Sequence, residues 1–200
     1  MGVYHILRPQ KALFENGCAR PLPVLESVAF TEHAPMPFRP ARPLVYLETS
    51  FISYLAARVS PVEKVARDQS ATRRWWEQEG PKCELFVSEI VLDEARLGDA
   101  MQVSARSEIL QPLHSVLITP EMRHLADRIL DAHALPANSS ADALHIAVAA
   151  VSGANMLLTW NCRHIANTTT LPKTIETVIR AGYRCPIIAT PMQRLEEPHV

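Results

Sequence analysis

The chain has 200 residues and is 48% hydrophobic, enough for one generous domain, or one domain with an appendage, around a real core. A net charge of -1 and a pI near 6.7 exclude a protein that holds a polyanion by overall basicity, so any such substrate has to be met by a local basic patch. Cys18, Cys83, Cys162 and Cys185 form no C-x-x-C pair, there is no charged-then-apolar leader, and no apolar run reaches the roughly 18 to 20 residues of a membrane span; the reading is a cytoplasmic protein with reduced thiols and no membrane partner.

In chain order, residues 1–43 come first and hold seven of the sixteen prolines with neither helical nor strand periodicity. They read as a disordered or spurious extension: a genuine flexible tail, or a stretch ahead of a true start at Met36. From Leu44 onward, strand-like and helix-like segments alternate, the pattern of an α/β fold around a parallel sheet. The predicted strands are "LVYL" (44–47), "CELFVS" (83–88), "SVLIT" (115–119), "NMLLTW" (155–160) and "PIIAT" (186–190). Between the first two lies a helical stretch that Pro61 divides and Gly80-Pro81 ends. "EIVLDEARLG" predicts a short helix stopped by Gly98, Asp99 caps the next, and Pro120 opens a third. "NSSADALHIAVAAVSG" is apolar nearly all round and reads as a central core helix ending at Gly153. "LPKTIETVIRAGY" supplies the last helix, and 191–200 reads as a surface tail.

Parallel strands joined by right-handed crossovers bring their carboxyl ends to one edge, where sites form at the reversal of strand order. Polar residues gather there. Glu48 directly follows the first strand, Glu94 lies one to two helical turns past the second, Asp142 opens the buried helix, and Asn161 follows "LLTW". Carboxylates brought close together repel and raise one another's pKa unless a cation sits among them, and hard divalent ions such as Mg²⁺ or Mn²⁺ take oxygen ligands. Glu48, Glu94 and Asp142 are therefore candidate metal ligands. Each has a plainer reading: Glu48 as a helix cap, Glu94 as a solvated acid with Glu89 and Asp93 as competitors, and Asp142 as a first-turn residue satisfied by its own helix end.

The stretches "VYLETSFISYL" and "SADALHIAVAAVSGANMLLTWNCRHIAN" resemble the PIN-domain family, in particular VapC-like toxins of type II toxin-antitoxin pairs, with the pattern running from 44 to 190. The resemblance implies a PIN-like three-layer α/β fold with a five-stranded parallel sheet of order 3-2-1-4-5 flanked by helices. It implies a Mg²⁺- or Mn²⁺-dependent endoribonuclease whose catalytic set is Glu48, Glu94, Asp142 and Asn161, acting on RNA, with a cognate antitoxin protein and a homodimer as partners. Two positions depart from the family's pattern. Glu48 stands where Asp is usual, and Asn161 where Asp is frequent, leaving about three negative charges rather than four, which favours weaker metal binding or one tightly held ion rather than two. Those departures also favour the alternative of a non-catalytic PIN-like module that acts through an antitoxin-like protein. Ser50 falls where a hydroxyl supports the acids, and it is equally placed to cap a helix.

Other signals are weaker. The spacing of Asp142 to His145, and of Asn161 to His164, permits a zinc site, against the plainer reading of satisfied structural histidines. Cys162 and His164 are two apart in a loop, a poor arrangement for a thiol nucleophile. "RRWW" (73–76) combines cations with stacking surface, although a tryptophan packed on the core with solvated arginines, or a protein interface, accounts for it as well. Arg58, Lys64, Arg67 and Arg163 complete the candidate phosphate contacts.

Overall fold

The computed structural model describes residues 42–196; the expectations for the N-terminal extension up to residue 41 lie outside the described residues. Its centre is a short apolar strand, β1 (Leu44–Leu47), in which Val45, Tyr46 and Leu47 are wholly buried. Burial on both faces is what a parallel sheet covered by helices requires, and it explains why this segment reads as a continuous apolar run rather than an alternation. β1 pairs in parallel with β2 (Glu84–Ser88) on one side and β4 (Met156–Leu158) on the other. β3 (His114–Val116) and β5 (Ile187–Ala189) take the edges, giving the order β3-β2-β1-β4-β5. The five-stranded parallel order expected from the sequence is the one observed. β3 starts one residue earlier than expected and stops at Val116, because the pairing with β2 ends at Ser88.

Helices cover both faces. α1 (Thr49–Ala56) and α2 (Glu63–Gln78) are separated at Pro61, and α2 is followed by a 3-10 turn, Gly80–Lys82. The intervening loop is pinned from α2: Gln69 receives Ser60 N–H at 2.9 Å and donates to Arg58 O at 3.0 Å, while Arg73 donates to Ala57 O at 2.6 Å. Trp75 enters the core edge-on to Phe51 and Arg74 remains exposed, so "RRWW" is mainly a packing element. α3 (Glu89–Ala95) ends before Gly98, whose φ of 101° is costly for any residue with a Cβ. Asp99 then caps α4 (Ala100–Leu110) through the amides of Met101 and Gln102, and Thr119 caps α5 (Pro120–Asp131).

α6 (Ser140–Val151) buries Ala143 and every residue from His145 to Ala150, as its apolar circumference predicts. α7 (Leu171–Arg180) leads to β5. The segment expected as a surface tail instead begins with a helix, α8 (Pro191–Glu196), which packs on α2 with Pro191 buried and Leu195 against the core. Thr190 and Gln193 hold its start by reciprocal hydrogen bonds of 2.8 to 3.2 Å, a polar closure that a tail-like composition conceals. No helix among the described residues is long and apolar enough to cross a membrane. Among the described residues, Cys83, Cys162 and Cys185 are free thiols.

Candidate active site

The chain runs β1, β2, β3 outward in one direction and then returns to place β4 on the opposite side of β1. The reversal lies between β1 and β4, and the crevice beyond their carboxyl ends is where an open α/β sheet admits a ligand. Glu48 occupies that point. Its amide extends the ladder by donating to Leu158 O at 3.1 Å, and its side chain is 5% exposed.

Burying a carboxylate requires donors, and the sequence supplies three for one oxygen. Glu48 Oε2 accepts from the Ser50 amide at 3.0 Å, from the Ser50 hydroxyl, and from Thr159 Oγ1 at 2.7 Å. Glu48 is therefore the N-cap of α1, so the plainer reading of this residue is realised. The cap does not exhaust it, because all these bonds fall on Oε2 and leave Oε1 for another partner. Ser50 likewise does both things expected of it, capping locally and supporting the acid, and it also accepts Trp160 N–H at 2.7 Å.

Glu94 projects from α3 toward the same point. Thr49 Oγ1 donates to Glu94 Oε2, and His145 Nε2 lies 3.1 Å from that oxygen. Burial alone would raise the Glu94 pKa, but the His145 hydrogen bond and charge together with the Thr49 hydroxyl outweigh it and hold the carboxyl below its ordinary range. The competitor Asp93 points to solvent and pairs with Arg96 at 2.7 Å. Helix rotation thus selects Glu94, which periodicity in a seven-residue helix separates only weakly.

His145 is 1% exposed and fully engaged: Nε2 meets Glu94, and Nδ1 lies 2.8 Å from Tyr46 Oη, itself 2.7 Å from Ser88 Oγ. Burial foremost drives the Tyr46 phenol far above its usual pKa, so it stays protonated and acts as a neutral hydrogen-bonding link. The Ser88–Tyr46–His145–Glu94 chain crosses β2, β1, α6 and α3, fixing the imidazole on the acid. Ligand atoms of Glu48, Glu94 and His145 lie within 4.8 Å of one another, the group of acids and imidazole among the described residues suited to hold a metal ion.

Asp142 stands apart from that group. It opens α6 on the same face as His145 and is bound instead to the loop after β4: Asn161 Nδ2 donates to Oδ1 at 2.7 Å, and His164 Nδ1 lies 2.7 Å from Oδ2 and 3.2 Å from Ser139 Oγ. Asn161 Oδ1 in turn accepts His164 N–H at 3.1 Å. Of the four expected site residues, Glu48 and Glu94 converge directly, while Asp142 and Asn161 form an adjoining pair.

A hard divalent cation suits this donor set. It asks for one or two carboxylates and several waters, and a carboxylate oxygen of Glu48 lies within 4.8 Å of one of Glu94. Zinc suits it less, since both nitrogens of His145 already have partners and the other imidazole, His164, bonds elsewhere. The supporting residues Ser88 and Thr159 carried no sequence signal beyond their places at strand ends, and Tyr46, inside β1, carried none beyond that of a core residue.

The family model of the PIN domain matches residues 45–165, more than half of the chain. No curated protein sequence matches. Among solved structures, VapBC2 from Rickettsia felis, crystallised bound to a DNA fragment from its promoter, is similar with a TM-score of 0.50 at 15% identity, over 74% of this chain and 98% of that one. VapC20 from Mycobacterium tuberculosis, a sarcin-ricin loop cleaving toxin, aligns with a TM-score of 0.45 at 21% identity, over 56% of this chain and 86% of its own.

Proposed function

We propose, from the premise that this chain belongs to the PIN domain family, that it is a metal-dependent endoribonuclease of the cytoplasm and the toxin of a toxin-antitoxin pair. The observation that carries the reading is the convergence of Glu48 and Glu94, from separate elements, at the reversal point of the sheet. The proposed ligands are Glu48, Glu94 and Asp142, with Mg²⁺ or Mn²⁺ as the ion. When bound, the ion supplies a lowered pKa to a coordinated water and charge stabilisation at the phosphoryl oxygens.

The protein's own residues do the rest. Thr159 and Ser50 hold Glu48 Oε2 in place and leave the other oxygen free of these bonds. Tyr46 and Ser88 orient His145, and His145 with Thr49 keeps Glu94 ionised at neutral pH. Asn161 and His164 hold the Asp142 carboxylate against the loop after β4. The Asn161 amide is suited to orient a water or the substrate rather than add charge. Exposed Arg58, Lys64, Arg67 and Arg163 supply local positive charge that the overall balance of -1 does not. An antitoxin protein and a second copy of the chain are the proposed protein partners, by analogy with the family.

Incubating structured RNA with the protein and Mn²⁺, wild type beside Asp142→Ala, tests the reading. Cleavage by the wild type alone supports it. Equal cleavage by both sinks the enzyme assignment, and cleavage by neither favours a non-catalytic module.

A further inference from the structure

One buried acid beside this site has no task in the chemistry above. Asp68, on α2, is 8% exposed, and among the described residues its carboxylate makes neither a hydrogen bond nor an ion pair. Its oxygens are nevertheless not sealed from solvent. One turn further along α2, Thr72 Oγ1 donates to Asp68 O at 2.8 Å and accepts Trp160 Nε1–H at 2.8 Å, so this face of the helix looks onto the indole. Tyr54 stacks on Trp160 with ring centroids 5.4 Å apart and planes 19° from parallel. Trp160 N–H is bound to Ser50 Oγ, whose proton goes to Glu48, so the aromatic pair is tied to the proposed metal ligand by two hydrogen bonds. Lys64, one turn before Asp68, is exposed. Burial and then the Asp68 charge raise both the Tyr54 phenol and the Cys162 thiol, while Lys64 opposes the effect on Cys162; the four groups therefore share one neighbourhood.

A carboxylate on a buried residue that has no donor from the protein is open to take its hydrogen bonds from a ligand. It accepts and does not donate, so the ligand has to bring N–H or O–H groups. An aromatic platform next to a phosphodiester site stacks bases. Among RNA bases, guanine alone presents two adjacent donors, N1–H and the 2-amino group, spaced for the two oxygens of one carboxylate. Adenine and cytosine each set an acceptor nitrogen beside their amino group, which repels the second oxygen, and uracil flanks its single N–H with carbonyls.

We propose that Asp68, Tyr54 and Trp160 form a guanine-selective base subsite adjoining the metal site, with Lys64 meeting a neighbouring phosphate. The subsite deepens the ribonuclease reading and rests on it for its biological role. It selects RNA at unpaired guanine, where the Watson–Crick edge is free.

The test is calorimetric binding of 5′-GMP, 5′-IMP and 5′-AMP to the full chain in EDTA, followed by cleavage of RNA oligonucleotides carrying G or A at one position beside the cut. GMP is expected to bind about tenfold tighter than AMP, with IMP, which lacks the 2-amino group, between them. Asp68→Asn, nearly isosteric, brings the three ligands within about twofold while leaving the melting temperature unchanged. Tyr54→Leu weakens all three by about tenfold and keeps their ratio. Equal GMP and AMP affinity in the wild type, including no binding of either, overturns the subsite, as does guanine selectivity that survives Asp68→Asn. Guanine-selective binding without any RNA cleavage supports the subsite and contradicts the nuclease reading alone. Cleavage whose G-to-A preference is unmoved by Asp68→Asn contradicts the subsite alone.

Discussion

The two halves of the candidate site are built differently. Glu48 stands at a strand end, 5% exposed, and Glu94 is reached through a chain of buried hydrogen bonds running from Ser88 to His145. Asp142 and His164 lie at a helix start and in a loop, with side chains 17% and 22% exposed, and they bind mainly one another and Asn161. The first half is fixed by the core, since moving it would disturb β1, β2, α3 and α6 together. The second half is fixed by three polar residues that can exchange partners at little cost in packing. The first half is thus held by the core, and the second has more freedom to adjust.

Breaking the rigid half should have the largest effect. Glu48→Gln is expected to lower RNA cleavage by more than about 100-fold, beyond the 10- to 100-fold range typical of supporting partners, with Mn²⁺-dependent rates as the measure. Next comes Tyr46→Phe, which leaves Ser88 Oγ and His145 Nδ1 without their shared partner. It should cost about 1–3 kcal/mol of stability in urea unfolding and weaken metal affinity, whereas a change confined to activity would show that the chain does not brace the core.

Glu94 gives the comparison a pH signature. Its carboxyl is more acidic in the fold than in the unfolded chain, so its stabilising contribution is full above the ordinary Glu value of about 4.3 and is lost as pH falls through the lower folded value. In metal-free protein the melting-temperature gap between wild type and Glu94→Gln should therefore be widest near neutral pH and narrow below about pH 4. A gap that stays constant over that range would assign the effect to packing. The smallest change is expected in the adjustable half: Asn161→Asp adds a charge beside Asp142 and should shift half-maximal activity to lower Mn²⁺ concentration. An unchanged metal dependence would place Asn161 outside the ion's reach.

The same contrast explains what the sequence disclosed. The strands, the core helix and Glu48 were legible because apolar runs, Gly and Pro punctuation and an acid directly after a strand are local signals, whereas the strand order and the choice of Glu94 over its neighbours came from the family resemblance. Asp142 was legible as an acid in an apolar helix, but not its attachment to Asn161 and His164, which depends on how the loop after β4 folds back. Nor was the role of Tyr46 visible, since a tyrosine inside "LVYL" looks like any core residue until its hydroxyl is seen between Ser88 and His145. Helix α8 was hidden for a related reason: its attachment to α2 is tertiary, and a polar sequence after a proline resembles a tail.

Whether the two halves join around one ion is decided most directly by Mn²⁺ titration calorimetry on wild type, Glu48→Gln and Asp142→Ala without RNA. A single site is expected in the wild type, with affinity reduced at least about tenfold in both variants. An Asp142→Ala variant that binds Mn²⁺ as tightly as the wild type, beside a Glu48→Gln variant that does not, would contradict it and leave the ion with the rigid half alone.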